Sequence, residues 1–190
     1  MGFLFWGLRN PKSVKHKGKR VSEIIESNHR AHVGEPGGER ANLAGAQLPR
    51  VDFGGADLTD ANLKGARLDG ANFRRAKLTR ADLSGASLRG ADLRSTDMTE
   101  CALPGADLTG AQVAGVELFR CDLSNAILHN ANLRNTNFRA SNIKGAQLAG
   151  ADMGVTILRE TDLTGVDLSG VDLSTALMPS KPGPPVPANK

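Results

Sequence analysis

From Ala41 to Ser180 the apolar and polar positions recur every five residues without a break. The phrase opens A-N-L-A-G, A-Q-L-P-R, V-D-F-G-G and runs on to A-L-M-P-S. The span of 140 residues holds 28 such pentads with no insertion or deletion. The third position is always apolar: 20 Leu, three Phe (Phe53, Phe73, Phe138), three Met (Met98, Met153, Met178), Val113 and Ile143. The first position is always small, 17 times Ala and otherwise Val, Thr, Cys or Ser. The second is mostly Asp, Asn or Gln, and the fourth and fifth are mostly polar, charged or Gly. A period of five fits neither the turn of a helix nor the alternation of a flat strand. It fits a chain that turns a corner every pentad and points two residues of each pentad inward. The large third residue fills a narrow interior, and the small first residue takes the corner space beside it, as close packing requires.

This phrase closely resembles the A-[DN]-L-x-x consensus of the pentapeptide-repeat family, over 140 of 190 residues. The resemblance implies an all-β fold, a right-handed quadrilateral β-helix with four pentads per coil. The 28 pentads then make about seven coils, a rod roughly 34 Å long at the spacing of neighbouring strands. Family members include mimics of duplex DNA that bind type II topoisomerases, regulators, and proteins of unknown role. The resemblance therefore bears on fold more closely than on function.

Folding the sequence at 20 aligns columns. Gly occupies the fifth position at Gly45, Gly65, Gly85, Gly105, Gly145 and Gly165, with Asn125 between them; the adjacent side has Gly70, Gly90, Gly110, Gly150 and Gly170, with Asn130. Both residue types accept positive φ, so type II turns are predicted at these two corners. A third column reads Asp60, Arg80, Glu100, Arg120, Ala140, Glu160. Its alternating signs predict a surface charge ladder that fixes register, at about 0–1 kcal/mol per exposed pair. Arg74, Arg75 and Arg94 share one side, and Phe119 takes an outward fourth position. These four form a candidate partner surface, with structural roles alone as the plainer reading.

The flanks differ from the repeat. Residues 1–20 form an apolar and basic arm: Phe3, Leu4, Phe5, Trp6 and Leu8 are followed by Arg9, Lys12, Lys15, Lys17, Lys19 and Arg20. An aromatic plug beside a basic run is what an anchor to an anionic membrane surface, or to a complex residing there, requires. The apolar stretch is too short to span a bilayer. Residues 21–40 read as a short capping helix over Val21–Val33, with Ser22 as N-cap, followed by a Gly-rich hinge at 34–38. The helix is expected to cover the open end of the solenoid at 41–180. Residues 181–190 are a Pro-rich tail. No second helix follows the repeat, so Leu163, Leu168, Leu173 and Met178 form a candidate end-to-end contact, either with a second copy or with a partner. Charge is uneven: residues 1–40 carry net +4, the repeat −2 and the tail +2.

No residue pattern points to catalysis. The carboxylates lie on regular outward columns, and three of the four histidines fall outside the repeat. His29 and His32 lack further ligands of zinc spacing. Cys101 and Cys121 sit at first positions 20 residues apart and are expected as small buried fillers. No cofactor, metal or catalytic residue is assigned, and nucleic acid is not an expected partner. The expectation is a non-catalytic bacterial scaffold that docks a protein partner, cytoplasmic and peripherally held at a membrane. The alternative is a DNA mimic that occupies a type II topoisomerase. That role asks for an extended acidic face, and a repeat at net −2 supplies little of one.

Overall fold

The computed structural model describes residues 7–178. Within them the pentads wind into a β-helix whose second positions pair in parallel with those 20 residues on, from Asn42↔Asn62 to Ile157↔Leu177. Four pentads therefore close one coil. Through most of the coils the third-position N–H donates to a second-position carbonyl of the next coil, as in Leu43 N–H to Asn62 O (2.7 Å). Each pentad then closes a turn, as in Ala46 N–H to Leu43 O (3.0 Å). The third-position side chains stack as the core, with Phe53, Leu63, Leu123 and Phe138 essentially inaccessible. Phe53 and Phe73 lie in adjacent coils with ring centroids 4.8 Å apart and near-parallel planes.

Two side-chain devices explain the rest of the pentad. At second positions an Asp or Asn oxygen accepts the N–H two residues on, as in Gly54 N–H to Asp52 Oδ1 (3.0 Å) and Ser124 N–H to Asp122 Oδ1 (3.0 Å). This Asx turn occupies a donor that the corner would otherwise leave free. At first positions Thr, Ser and Cys replace Ala by donating to a third-position carbonyl of the preceding coil. Thr96 Oγ1 to Phe73 O (2.8 Å), Thr136 Oγ1 to Val113 O (2.9 Å) and Cys121 Sγ to Met98 O (2.9 Å) repeat one geometry. Both cysteines are free and buried. Burial pushes the Cys121 thiol up to about 12 and Cys101 well above its ordinary value.

The corners depart from expectation. Positive φ is found at every fifth position from Gly45 to Gly170, not on two sides alone. Arg50, Asp60, Glu100, Ala140 and Val155 adopt it as fully as the glycines. Each coil must turn four equivalent corners, and the geometry of closure imposes the same backbone at each, whatever the side chain.

The N-terminal end is built from three pieces. Arg9 pairs in parallel with Val51, where its N–H donates to Arg50 O (2.6 Å) and its carbonyl accepts Asp52 N–H (3.0 Å). It stands where a preceding coil would have stood. Strands β1 (Lys15–His16) and β2 (Lys19–Arg20) then form a hairpin. Its two-residue turn, Lys17 (φ 47°) and Gly18 (φ 83°), has the doubly positive φ of a type I′ turn. Helix α1 (Val21–Val33) follows directly. Its N-cap is Arg20 rather than Ser22, because β2 delivers Arg20 in extended conformation and Val21 N–H is already bound to Val14 O (2.8 Å). Glu23 accepts the Arg20 N–H (3.0 Å). Gly34 ends the helix in the left-handed conformation, with Glu35 N–H returning to Arg30 O (2.8 Å).

Candidate interaction surfaces

Asn28 joins the helix to the solenoid. The first coil has no coil before it, so Asp57 O and Thr59 O, which later coils would offer to third- and fifth-position N–H groups, lack backbone donors. Asn28 Nδ2 donates to both (3.0 and 3.1 Å), and Asn28 Oδ1 accepts Ala41 N–H (2.7 Å). Its side chain is buried. His29, one residue on, lies 3.1 Å from Asp57 Oδ2. Sequence reading passed over Asn28, although a buried polar residue on the inner face of a lid, beside Val21 and Ile24, is its only signal. The Gly-rich segment at 34–38 is fastened to this helix: a Cβ on Gly38 would meet Ala31 N at 2.1 Å.

Of the expected anchor, Phe3, Leu4, Phe5 and Trp6 lie outside the described residues. Leu8 is half-buried, and Val14 joins the core. Arg9, Lys12, Lys15, Lys17, Lys19 and Arg20 are all exposed at this end of the rod. Lys19 is engaged by Glu39 (3.3 Å).

The expected lateral surface is divided. Arg74, Arg75 and Arg94 do share one side, but Arg94 grips Asp92 through Nη2 and Nε (2.6 and 2.9 Å). Phe119 belongs to the neighbouring side and is half-buried, with the Arg120 guanidinium 4.9 Å from its ring centroid. The charge ladder forms in part: Arg80 is bidentate on Asp60 (2.7 and 3.0 Å), Arg120 lies 3.7 Å from Glu100, and Arg139 replaces the missing rung beside Ala140 by reaching Glu160 (2.9 Å).

At the other end the core thins. Leu163, Leu168 and Leu173 are half-buried, while Met178 is 44% exposed and Leu177 43%. These side chains come together as one incomplete layer. Among the described residues no group of His, Cys, Asp or Glu is arranged to hold a metal ion, and no helix is long and apolar enough to cross a membrane.

A family model of pentapeptide repeats matches residues 39–75, 76–111, 117–154 and 156–178 in eight copies. No curated protein matches the chain. Among solved structures, HetL, a pentapeptide repeat protein involved in heterocyst differentiation regulation from the cyanobacterium Nostoc sp. strain PCC 7120, is 27% identical. The match covers 72% of this chain and 84% of HetL, with a TM-score of 0.46. A second Nostoc PCC 7120 pentapeptide repeat protein, alr5209, is 30% identical over 80% of this chain and 95% of its own, with a TM-score of 0.28. QnrB1, a plasmid-mediated fluoroquinolone resistance protein, is 24% identical over 69% of this chain and 76% of its own, with a TM-score of 0.35.

Proposed function

The chain belongs to the pentapeptide-repeat family of right-handed β-helices, and from that premise we propose that it is a non-catalytic docking rod. In this reading residues 1–20 hold it to an anionic membrane surface or a complex residing there, and its sides or its C-terminal coil receive a protein partner. The observation that carries the reading is the cationic end: Lys12, Lys15, Lys17 and Arg20 stand exposed on a hairpin segment whose Val14 is locked into the core. Phe3, Leu4, Phe5 and Trp6 precede this segment in the sequence. Each basic residue near an anionic surface contributes about 1 kcal/mol.

Fractionation tests it. Full-length protein is expected to sediment with membranes, and the Phe5→Ala, Trp6→Ala double variant is expected to stay soluble. Equal partition of both at low and high salt would overturn the tether. Vesicles without protein then separate lipid binding from binding to a complex.

The DNA-mimic reading needs a continuous acidic side. The ladder side interleaves Arg80 and Arg120 with Asp60 and Glu100, and the neighbouring side carries Arg74, Arg75 and Arg94. This favours docking of a protein with mixed surface charge. Inhibition of a type II topoisomerase in a supercoiling assay would reverse the preference.

A further inference from the structure

The hairpin, one face of α1 and the segment entering the first coil line a half-open cavity of about 460 Å³. That is within the range of small-molecule sites. Ile24 supplies apolar wall, Ser27, Gly37 and Asn42 are neutral, and the rest of the lining sets His16, Lys17, Lys19, Arg30 and Arg40 against Glu23 and Glu39. Both acids are already engaged, Glu39 by Lys19 (3.3 Å) and Glu23 by the Arg20 N–H (3.0 Å) and its guanidinium (3.9 Å). Arg40 leans toward Asp60 at 3.7 Å. Lys17 and Arg30 are left without a carboxylate among the described residues.

Two buried atoms sharpen the picture. Arg30 Nε and His16 Nε2 are inaccessible and have no hydrogen-bond partner. A buried guanidinium N–H without an acceptor costs free energy, so a native structure normally provides one. Burial and then the neighbouring Lys17 hold His16 below its ordinary value. It is therefore neutral near pH 7 and able to carry its proton on Nε2 toward an acceptor. The wall thus presents donors and a net positive charge, with Glu23 and Glu39 each already facing a cation.

We propose that this cavity binds a phosphate group, on a small soluble molecule or a lipid headgroup, with the Arg30 and His16 side chains, which line it, turning their shielded N–H groups onto the phosphate and Lys17 and Arg40 as charges at the mouth. A phosphate monoester carries nearly two negative charges and three acceptor oxygens. These match the two unengaged cations and the orphaned donors, where a carboxylate would leave one cation unmatched. The Arg30 guanidinium also suits the planar, directional recognition of phosphate.

The full-length protein, ¹⁵N-labelled, is titrated with sodium phosphate, with sodium acetate and sodium chloride at matched ionic strength as controls. Saturable amide shifts confined to β1, β2 and α1 are expected with phosphate alone. Arg30→Gln is expected to weaken binding at least tenfold and Lys17→Gln about threefold. Arg30→Lys keeps the charge without the Nε donor and should still lose most of the affinity. Thermal melting of each variant excludes misfolding as the cause. Non-saturating shifts, shifts equal to those of acetate or chloride, or wild-type affinity in both Arg30 variants would overturn the proposal. Once phosphate binding is seen, phosphatidylcholine vesicles with and without phosphatidic acid assign the source. Sedimentation that Arg30→Gln abolishes marks a headgroup, and indifference to phosphatidic acid marks a soluble phosphate. Because inorganic phosphate suffices, failure of the membrane tether leaves this test intact.

Discussion

At the scale of the residue, backbone strain is concentrated at the fifth positions. A non-glycine residue in the left-handed region costs about 1–2 kcal/mol, and a β-branched one is the least suited to it. Val155 is the extreme case, at φ 60° and 46% exposed, so little packing offsets its strain. Its N–H donates to Thr175 Oγ1 (3.1 Å), a bond that glycine would keep. Val155→Gly is expected to stabilise the protein by about 1 kcal/mol, since relief of strain exceeds the entropy lost. A rise in urea midpoint checks it, and an unchanged or lower midpoint would show that the Val155 side chain is held by packing. Glycine at two adjacent corners was visible as two columns, but the positive φ of Arg50 or Glu100 was not. Nothing in those side chains marks the conformation that coil closure forces on them.

At the scale of the element, α1 acts through one side chain more than through its apolar face. Asn28 satisfies two first-coil carbonyls and one N–H that have no other partner in the ladder. Each buried polar group left unsatisfied costs about 1–3 kcal/mol. Asn28→Ala should therefore destabilise by at least about 3 kcal/mol, whereas Ile25→Ala, at a half-buried position, should cost less. Amide exchange would show the first coil opening in Asn28→Ala before the middle coils do. Uniform protection in that variant would mean that the lid is dispensable. The helix was legible in the sequence from Val21, Ile24, Ile25 and Gly34. The hairpin before it was not, because a stretch of alternating Lys and polar residues carries no apolar face. Val14, docked into the core, the Lys17–Gly18 turn, the Val21 N–H to Val14 O bond and the Lys19–Glu39 pair hold that hairpin in place.

At the scale of the whole molecule, charge and the open end decide behaviour. The Asp60 carboxyl lies below the ordinary range, first through its hydrogen bond with Arg80 and then despite burial. Burial pushes Asp92 up, yet the Arg94 side-chain and backbone hydrogen bonds and the charges of Arg94 and Arg74 together outweigh it, and the net shift is down. A carboxyl that titrates lower in the folded chain stabilises it fully above the unfolded value of about 3.9. That stabilisation is lost as pH falls through the folded value. The melting temperature should hold from pH 7 to pH 5 and fall steeply below about pH 4. Asp60→Asn should flatten part of that fall while costing roughly 1 kcal/mol or less at pH 7. A profile identical to wild type would show that the Asp60–Arg80 pair is energetically silent. The second prediction concerns the incomplete layer of Leu163, Leu168, Leu173 and Met178. Exposed apolar surface of this kind favours association, and closed symmetric pairing is the usual solution for copies of one chain. Light scattering is expected to report a dimer that Leu173→Asp converts to a monomer. A monomeric wild type would reassign the layer to a different partner.

The sequence by itself determined the repeat, the inward positions, the identity of the core and the helix at the N-terminal end. All of these follow from local periodicity, because every pentad meets the same environment one coil above and below. The tertiary structure alone decided what happens where that sameness stops. It put Arg9 in the place of a missing coil and Asn28 on the orphaned carbonyls. It turned part of the basic run into one wall of a cavity. These outcomes join residues far apart in the chain that share no period, so no reading of spacing contains them. They arise because unsatisfied backbone groups and exposed apolar layers at the ends must find partners from whatever chain lies near.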